Sequence, residues 1–306
     1  MIADEPSGTG GSREGTLRRK IGEATPGALP TPDAGDGREH GGAGRIAAAF
    51  EAAKAGARAA LMPYMMAGYP DRETGLAVAA AYADAGADLI ELGVPFSDPL
   101  ADGPAIHAAA TKALAEGATL ATALEACRAV SDRLPVVFMV YANMVVAHGG
   151  PREFARLARA AGACGAIVPD LPLEEAGEVR EAFDGEGLAL VPLLAPTTPP
   201  ERRRQICAAA RGFLYVVSTV GTTGERAEVP PALADLVAAS KEDAAVPVAV
   251  GFGIGTPEQA AQVGALADGV IIGSRLVRAA GEAGSAPAAA DAVAEFLAQT
   301  RVALAG

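Results

Sequence analysis

The stretch that decides the fold runs from Asp88 to Pro104 and reads DLIELGVPFSDPLADGP. It begins as an apolar strand that carries one carboxylate, Glu91, and continues as a loop interrupted by prolines. Because side chains alternate across a strand, Glu91 points to the face opposite Ile90 and Leu92. One face must pack on helices, so the pattern predicts that Glu91 points into the middle of the fold. Burial there would raise its pKa and let it act as an acid near neutral pH.

A second carboxylate, Asp102, lies at the far end of the same loop. Two carboxylates on either side of a strand-to-loop junction suit a site that needs an acid and a base in different environments. Structural alternatives exist for both: Glu91 could pair with a buried arginine or lysine. Asp102 could cap a helix whose first position is Pro104. The pairing of the two carboxylates favours the catalytic interpretation.

The composition excludes several classes of protein. A hydrophobic fraction of 50% can fill a sizeable core, yet no apolar run has the length of a membrane span, and no secretory signal begins the chain. The net charge of −12 argues against nucleic acid or an anionic membrane as the main partner. Scattered cysteines and histidines predict reduced thiols in a cytoplasmic protein and no metal site. The cysteines are Cys127, Cys164 and Cys207.

Residues 1–44 differ in composition from the rest of the chain. They are rich in Gly, Pro, Ser, Thr and charge and have almost no bulky apolar residues, which predicts a disordered tail. Residues 45–306 form the predicted catalytic domain, which starts with a helix over 45–55.

From there, apolar runs of strand length alternate with helical patterns. Strands that are apolar on both faces and separated by helices indicate a parallel sheet. Eight such units predict a closed (β/α)8 TIM barrel, an α/β fold, with an open doubly wound sheet as the alternative. No Gly-x-Gly-x-x-Gly motif follows the first strand, which disfavours a dinucleotide fold. The runs begin near Ala59, Leu89, Val136, Gly165, Leu188, Gly212, Val246 and Gly269.

Barrel enzymes carry their active sites at the carboxyl ends of the strands. This rule brings Tyr141, Asn143 and Asp170 to the same face as the two carboxylates, while Tyr215 lies on the sixth strand. The loop 218–225 is rich in Gly and Thr, as suits a mobile lid. Core packing is the alternative for either tyrosine alone.

Two glycine clusters at the last two strands predict a phosphate site. Gly251-Phe252-Gly253 follows the seventh strand, and Gly273-Ser274 follows the eighth at a helix start. Glycine lets the backbone approach an anion closely, and free N–H groups at a helix N-terminus bind it. Barrels commonly bind phosphate with these loops.

The chain from about residue 45 onward resembles the alpha subunit of tryptophan synthase. The resemblance rests mainly on ELGVPFSDPLADGP at 91–104. Supporting segments are MVYAN at 139–143, VPDLP at 168–172, the loop 218–224, GFG at 251–253 and IGS at 272–274.

The resemblance implies cleavage of indole-3-glycerol phosphate to indole and glyceraldehyde 3-phosphate by a retro-aldol step, without metal or cofactor. It implies that Glu91 is the acid–base residue and that Asp102 binds the indole N–H and stabilises the positive ring. Tyr215 would lie beside Glu91. The other substrate-binding residues that it implies are Tyr64, Ile106, Tyr141 and Phe252 around the indole and glycerol, with Thr223, Gly224, Gly253, Gly273 and Ser274 toward the phosphate.

The family works with a β subunit that uses pyridoxal phosphate and receives indole through a tunnel, so an alpha2beta2 tetramer is the expected assembly. The chain departs from the family pattern at Thr222 and His107, and its tail has no counterpart. Three other functions stay open: another phosphate-binding barrel such as an isomerase, a free-standing lyase that releases indole, and a non-catalytic activator of a β subunit. The stretch around Glu91 and Asp102 speaks against the isomerase.

Overall fold

The computed structural model of the chain describes residues 41–147, 149–217, 231–251 and 253–306. Parallel strands and surrounding helices alternate along this part of the chain. The strands are β1 (Ala60–Met66), β2 (Ile90–Gly93), β3 (Val136–Met139), β4 (Gly165–Ile167), β5 (Ala189–Val191), β6 (Leu193–Leu194), β7 (Leu214–Val217), β8 (Val248–Gly251) and β9 (Gly269–Ile272).

The first helix precedes the first strand and packs Ile46 and Phe50 in one hydrophobic cluster with Val137 and Ile271, while the later helices alternate with the strands and cover the outside of the sheet. Four of them overlap the helical patterns of the sequence at 45–55, 74–85, 154–161 and 257–266, and the last three end one or two residues before their patterns do. The helices are α1 (Gly42–Ala55), α2 (Arg72–Asp84), α3 (Pro104–Ala115), α4 (Leu120–Val130), α5 (Ala142–Ala147), α6 (Pro151–Ala160), α7 (Gly177–Gly185), α8 (Pro200–Ala209), α9 (Pro231–Asp243), α10 (Pro257–Gly264), α11 (Ser274–Glu282) and α12 (Ala286–Leu304).

The strands form a nearly closed ring. The order is β5-β4-β3-β2-β1-β9-β8-β7-β6, and every strand pair is parallel. One residue, Pro192, separates β5 from β6, so these two pieces together make the fifth strand of an eight-unit barrel. A proline lacks the N–H that a sheet ladder requires, which explains an interruption at this position. The barrel prediction is confirmed, and the fifth strand differs from it only by this break.

Side chains on β2 alternate as the sequence predicts. Ile90 and Leu92 pack in the hydrophobic layer between strands and helices, while Leu89 packs in a separate cluster with inward residues such as Val137 and Ile271. The first layer holds the helices on the barrel, and the second fills the barrel interior. Glu91 therefore projects to the interior side.

The first helix begins at Gly42, three residues before the expected start. The Gly42 N–H donates a hydrogen bond to the Gly187 carbonyl at 2.7 Å. A Cβ at position 42 would lie 2.0 Å from the Cys164 carbonyl oxygen, so only glycine fits this contact. The predicted tail falls mostly outside the described residues, and the division at residue 44 stays a prediction.

The start of β2 is anchored by an ion pair. The Arg58 guanidinium donates two hydrogen bonds to the Asp88 carboxylate, at 2.5 and 2.8 Å, and the Leu61 N–H donates a third at 2.7 Å. Charge-assisted bidentate pairs of this kind fix geometry strongly. The anchor lies only three residues before Glu91.

Candidate active site

Glu91 lies in the middle of β2, with Tyr64 of β1 and Val137 of β3 as its register partners. Its residue surface is 2% exposed, and its Oε2 atom has no hydrogen-bond partner. Burial, with a smaller contribution from the Asp102 charge, raises the pKa of Glu91 from 4.5 to about 8. A carboxyl group in this state carries a proton at neutral pH and can donate it.

The structural alternative for Glu91 is not supported. Among the described residues, no lysine or arginine forms an ion pair with it. An unpaired buried carboxylate costs free energy, and protonation reduces that cost. The prediction that Glu91 points into the middle of the fold is thus consistent with its burial and with its neighbours.

Asp102 is held by Tyr141, which follows β3. The Tyr141 hydroxyl donates a hydrogen bond to Asp102 Oδ1 at 2.8 Å and accepts one from the Ala101 N–H at 3.0 Å. The Tyr141 ring stacks on Phe96 with centroids 5.2 Å apart. One tyrosine therefore fixes both the carboxylate and the loop that carries it.

The capping alternative for Asp102 is wrong. Pro104 does occupy the first position of α3, but the capping residue is Gly103, which has no side chain to bond the free N–H groups. Asp102 is consequently available to the site. Partial burial raises its pKa, while the Tyr141 hydrogen bond and His107 on α3 oppose that rise. The two carboxylates therefore differ in environment, because only Asp102 has a hydroxyl donor and a nearby histidine.

Two glycines make room for two tyrosines. A Cβ on Gly93 would lie 2.2 Å from the Tyr64 hydroxyl, and a Cβ on Gly251 would lie 2.5 Å from the Tyr215 hydroxyl. Any larger residue at these positions would displace a tyrosine ring. Burial raises the pKa of both phenols, and the Glu91 charge adds to the rise. Both tyrosines are therefore protonated near Glu91 and can serve as hydrogen-bond donors.

The predicted phosphate end lies beside the same tyrosine. A Cβ on Gly273 would lie 3.7 Å from Tyr64 Cβ and 3.9 Å from Ile106 Cδ1, which brings the end of β9 next to α3. Ser274 is buried and begins α11, so the first N–H groups of that helix lie at this end. Gly253 has a φ of 76°, a conformation that favours glycine.

Comparison with known proteins identifies the family of the chain. The sequence profile described as "Tryptophan synthase alpha chain" matches residues 50–304. The chain belongs to the tryptophan synthase alpha chain family. It is a lyase of tryptophan biosynthesis, whose reaction cleaves indole-3-glycerol phosphate to indole and glyceraldehyde 3-phosphate.

Alignments with similar proteins extend over most of the chain. The tryptophan synthase alpha chain of Geobacter sulfurreducens is 47% identical over 236 residues, which span 76% of this chain and 89% of that protein. That of Synechococcus sp. is 47% identical over 250 residues, 81% of this chain and 93% of that protein. A solved structure of Mycobacterium tuberculosis tryptophan synthase has 38% identity and a TM-score of 0.78, with coverage of 85% and 98%. A structure titled for the Pyrococcus furiosus a2b2 complex has 37% identity and a TM-score of 0.73, with coverage of 79% and 98%.

Three of the predicted site residues fall outside the part of the chain that the structure describes. Thr223, Gly224 and Phe252 lie outside the described residues, as does the loop 218–225. The other nine predicted site residues are described: Glu91, Asp102, Tyr215, Tyr64, Ile106, Tyr141, Gly253, Gly273 and Ser274. Contacts or electrostatic interactions connect Glu91, Asp102, Tyr64, Tyr141, Tyr215, Ile106 and Gly273.

Sequence reasoning missed the supports of this alpha-chain site. Gly93 and Phe96 belong to the motif, but the sequence assigned them no role. The structure shows that Gly93 leaves space for Tyr64 and that Phe96 stacks on Tyr141. Asp170, expected on the catalytic face, accepts a hydrogen bond from the Ala142 N–H at 2.8 Å and thus holds the segment next to Tyr141. Phe96, an aromatic residue in the loop after β2, was the one feature of the sequence that could have indicated these supports.

Three further observations concern metals, membranes and thiols. Within the described ranges, no group of three or more His, Cys, Asp or Glu side chains is arranged to hold a metal ion. In the same part of the chain, each helix is too short or too polar to cross a bilayer. The three cysteines are buried and free.

Proposed function

We propose that Glu91 is the general acid and base of the cleavage reaction. The observation that carries this role is the buried carboxyl group with a free Oε2 and a pKa near 8. Breaking the bond between the ring and the glycerol chain requires protonation of the indole carbon that holds the chain. Protonated Glu91 would supply that proton and, once ionised, would accept the proton of the glycerol hydroxyl.

Asp102 would accept the indole N–H hydrogen bond and stabilise the positive charge that develops on the protonated ring. A fixed anion at the place where charge develops lowers the barrier without reorganisation during the reaction. The Tyr141 hydroxyl supports this role, because it holds Asp102 Oδ1 at 2.8 Å and leaves the other carboxylate oxygen for the substrate. Glu91 and Asp102 thus have separate tasks.

The remaining predicted residues would bind the two ends of the substrate. Tyr215 would lie beside Glu91, while Tyr64, Ile106 and Tyr141, with Phe252, would line the indole and glycerol pocket. Gly253, Gly273 and Ser274, with Thr223 and Gly224, would bind the phosphate through backbone and hydroxyl donors. The close approach of Gly273 to Tyr64 and Ile106 supports one continuous pocket.

The chain would work with a β subunit in an alpha2beta2 tetramer. The Pyrococcus furiosus structure, titled as an a2b2 complex with mutual activation, supports this assembly for a family member of similar fold. Two large apolar side chains are exposed on segments after β2 and β3: Leu100 is 82% exposed and Val146 is 58% exposed. Exposed apolar groups on the catalytic side favour a protein partner there. Free buried cysteines suit a cytoplasmic location.

The test is the release of indole from indole-3-glycerol phosphate by the full chain, alone and with a β subunit. Slow release that rises sharply with the partner is the expected result for a synthase subunit. Rapid release that ignores the partner would identify a free-standing lyase, and no release with an accelerated β subunit would identify a non-catalytic activator.

A further inference from the structure

A cavity lies at the barrel wall beside α7 and α8. Its volume is about 300 Å³, and it borders the break at Pro192 between β5 and β6. This size is at the lower end of small-molecule sites. None of the catalytic residues Glu91, Asp102 and Tyr215 lines it. The cavity therefore contains neither carboxylate of the candidate active site, although Leu193 in its lining is the register partner of Tyr215.

The floor of the cavity is apolar. Leu190 of β5 is only partly buried, although its neighbours Ala189 and Val191 are buried, because the helices leave this part of the strand uncovered. Leu193 and Ile206 extend the same surface. An apolar surface in a concave site gains free energy when an apolar ligand displaces water from it.

Three charged residues line the cavity, and two of them are engaged. Arg202 forms a two-pronged ion pair with Glu174, and the Asp170 carboxylate accepts the Ala142 N–H. Arg180 is different: its guanidinium forms no hydrogen bond or ion pair with any described residue, although the residue is partly buried. A guanidinium in this position offers a fork of N–H donors whose geometry matches a carboxylate.

We propose that this cavity binds a small apolar carboxylic acid, with its carboxylate on Arg180 and its apolar body over Leu190, Leu193 and Ile206. The charge balance supports an anion, because Arg180 is the cation of the lining that lacks a partner among the described residues. The apolar floor supports a hydrocarbon or aromatic body over a sugar or a phosphate alone.

A ligand there would lie next to the catalytic loops. Asp170 belongs both to the cavity lining and to the hydrogen bond that holds Ala142, the residue after Tyr141. Tyr141 in turn holds Asp102. The cavity and the active site therefore share one short segment of chain.

The test is calorimetric titration of the full chain with 4-phenylbutyrate and with its neutral amide. We expect saturable binding of the acid and roughly tenfold weaker binding of the amide, because a hydrogen bond to a charged group is lost. Arg180→Met should weaken the binding of 4-phenylbutyrate by a similar factor. Arg152→Met, an exposed arginine of α6 outside the cavity, is the matched control and should leave the affinity unchanged.

A second variant tests the position of the ligand without removing a charge. Leu190→Trp should fill the cavity and abolish binding, while Glu91→Gln should leave it intact, which separates this proposal from the catalytic one. The proposal is overturned by an absence of saturable binding, by equal affinities in Arg180→Met and Arg152→Met, by unchanged binding in Leu190→Trp, or by displacement of the acid with indole-3-glycerol phosphate.

Discussion

Asp88 and Glu91 lie three residues apart, the first just before β2 and the second within it, and their environments are opposite. Asp88 receives two hydrogen bonds from Arg58 and one from the Leu61 N–H, with both ion-pair side chains largely buried. Glu91 is more deeply buried, and its Oε2 has no partner at all. The first carboxylate is neutralised by the protein, whereas the second has an oxygen without a partner, which its proposed role requires.

This difference follows from where each residue lies in the barrel. Asp88 precedes the strand, at the end of the barrel where fixed pairs stabilise the fold. Glu91 lies within β2 and projects to the barrel interior, where an unpaired carboxyl group with a raised pKa is a candidate for reactivity. The contrast predicts that changes at Asp88 affect stability alone and that changes at Glu91 affect catalysis alone.

The largest effect is expected for Glu91→Gln. The amide keeps the size of the side chain and cannot transfer a proton, so kcat for indole release should fall by about 10³-fold. The melting temperature should not fall, since no described ion pair is lost. A steady-state assay with circular dichroism checks both. Turnover within tenfold of the unchanged chain would contradict the assigned role.

Asp88→Ala should have the complementary effect. It leaves Arg58 buried without its partner, so the free energy of unfolding should fall by about 3 kcal/mol. At a low temperature, where the variant remains folded, its rate of indole release should stay within about twofold of the rate of the unchanged chain, which we count as no change. Asp84→Ala, which breaks an exposed pair with Arg133, is the control and should cost about 0.5 kcal/mol or less. Equal losses in the two variants, measured by urea unfolding, would refute the anchoring role.

A smaller catalytic effect is expected for Tyr141→Phe. Loss of the hydroxyl removes the hydrogen bond to Asp102 and leaves the Ala101 N–H without its acceptor. We expect kcat/KM to fall about tenfold, which corresponds to roughly 1.4 kcal/mol. Tyr82→Phe is the control: its buried hydroxyl bonds the Tyr64 carbonyl, so it should lower the melting temperature and spare kcat/KM. The same kinetic loss in both variants would argue against positioning of Asp102 by Tyr141.

The sequence predicted the barrel well because local patterns determine it. Each apolar run produced a strand, and the alternation of β2 placed Glu91 correctly, since these features depend on residues near one another in the chain. The break at Pro192 was not predicted: LALVPLL was interpreted as one strand, although its proline lacks the N–H that a sheet ladder requires.

The sequence singles out the two carboxylates as candidates, but it does not indicate the residues that hold them in place. The hydrogen bond from Tyr141 to Asp102 joins residues 39 positions apart, and the Gly251–Tyr215 contact joins neighbouring strands. Such pairs depend on register and side-chain direction, which a single sequence does not specify. The capping interpretation of Asp102 failed for a local reason, because α3 begins at Pro104 and the residue directly before it, Gly103, takes the capping position.

The most direct test is a carbon-13 NMR titration of the Glu91 carboxyl in the full chain, assigned by comparison with Glu91→Gln. The pKa is raised, so the proton should stay bound at neutral pH and leave as the pH rises through about 8. A midpoint near 8 is the predicted result. A midpoint near 4.5, the ordinary value for glutamate, would mean that Glu91 is ionised at neutral pH and would contradict its role as the acid.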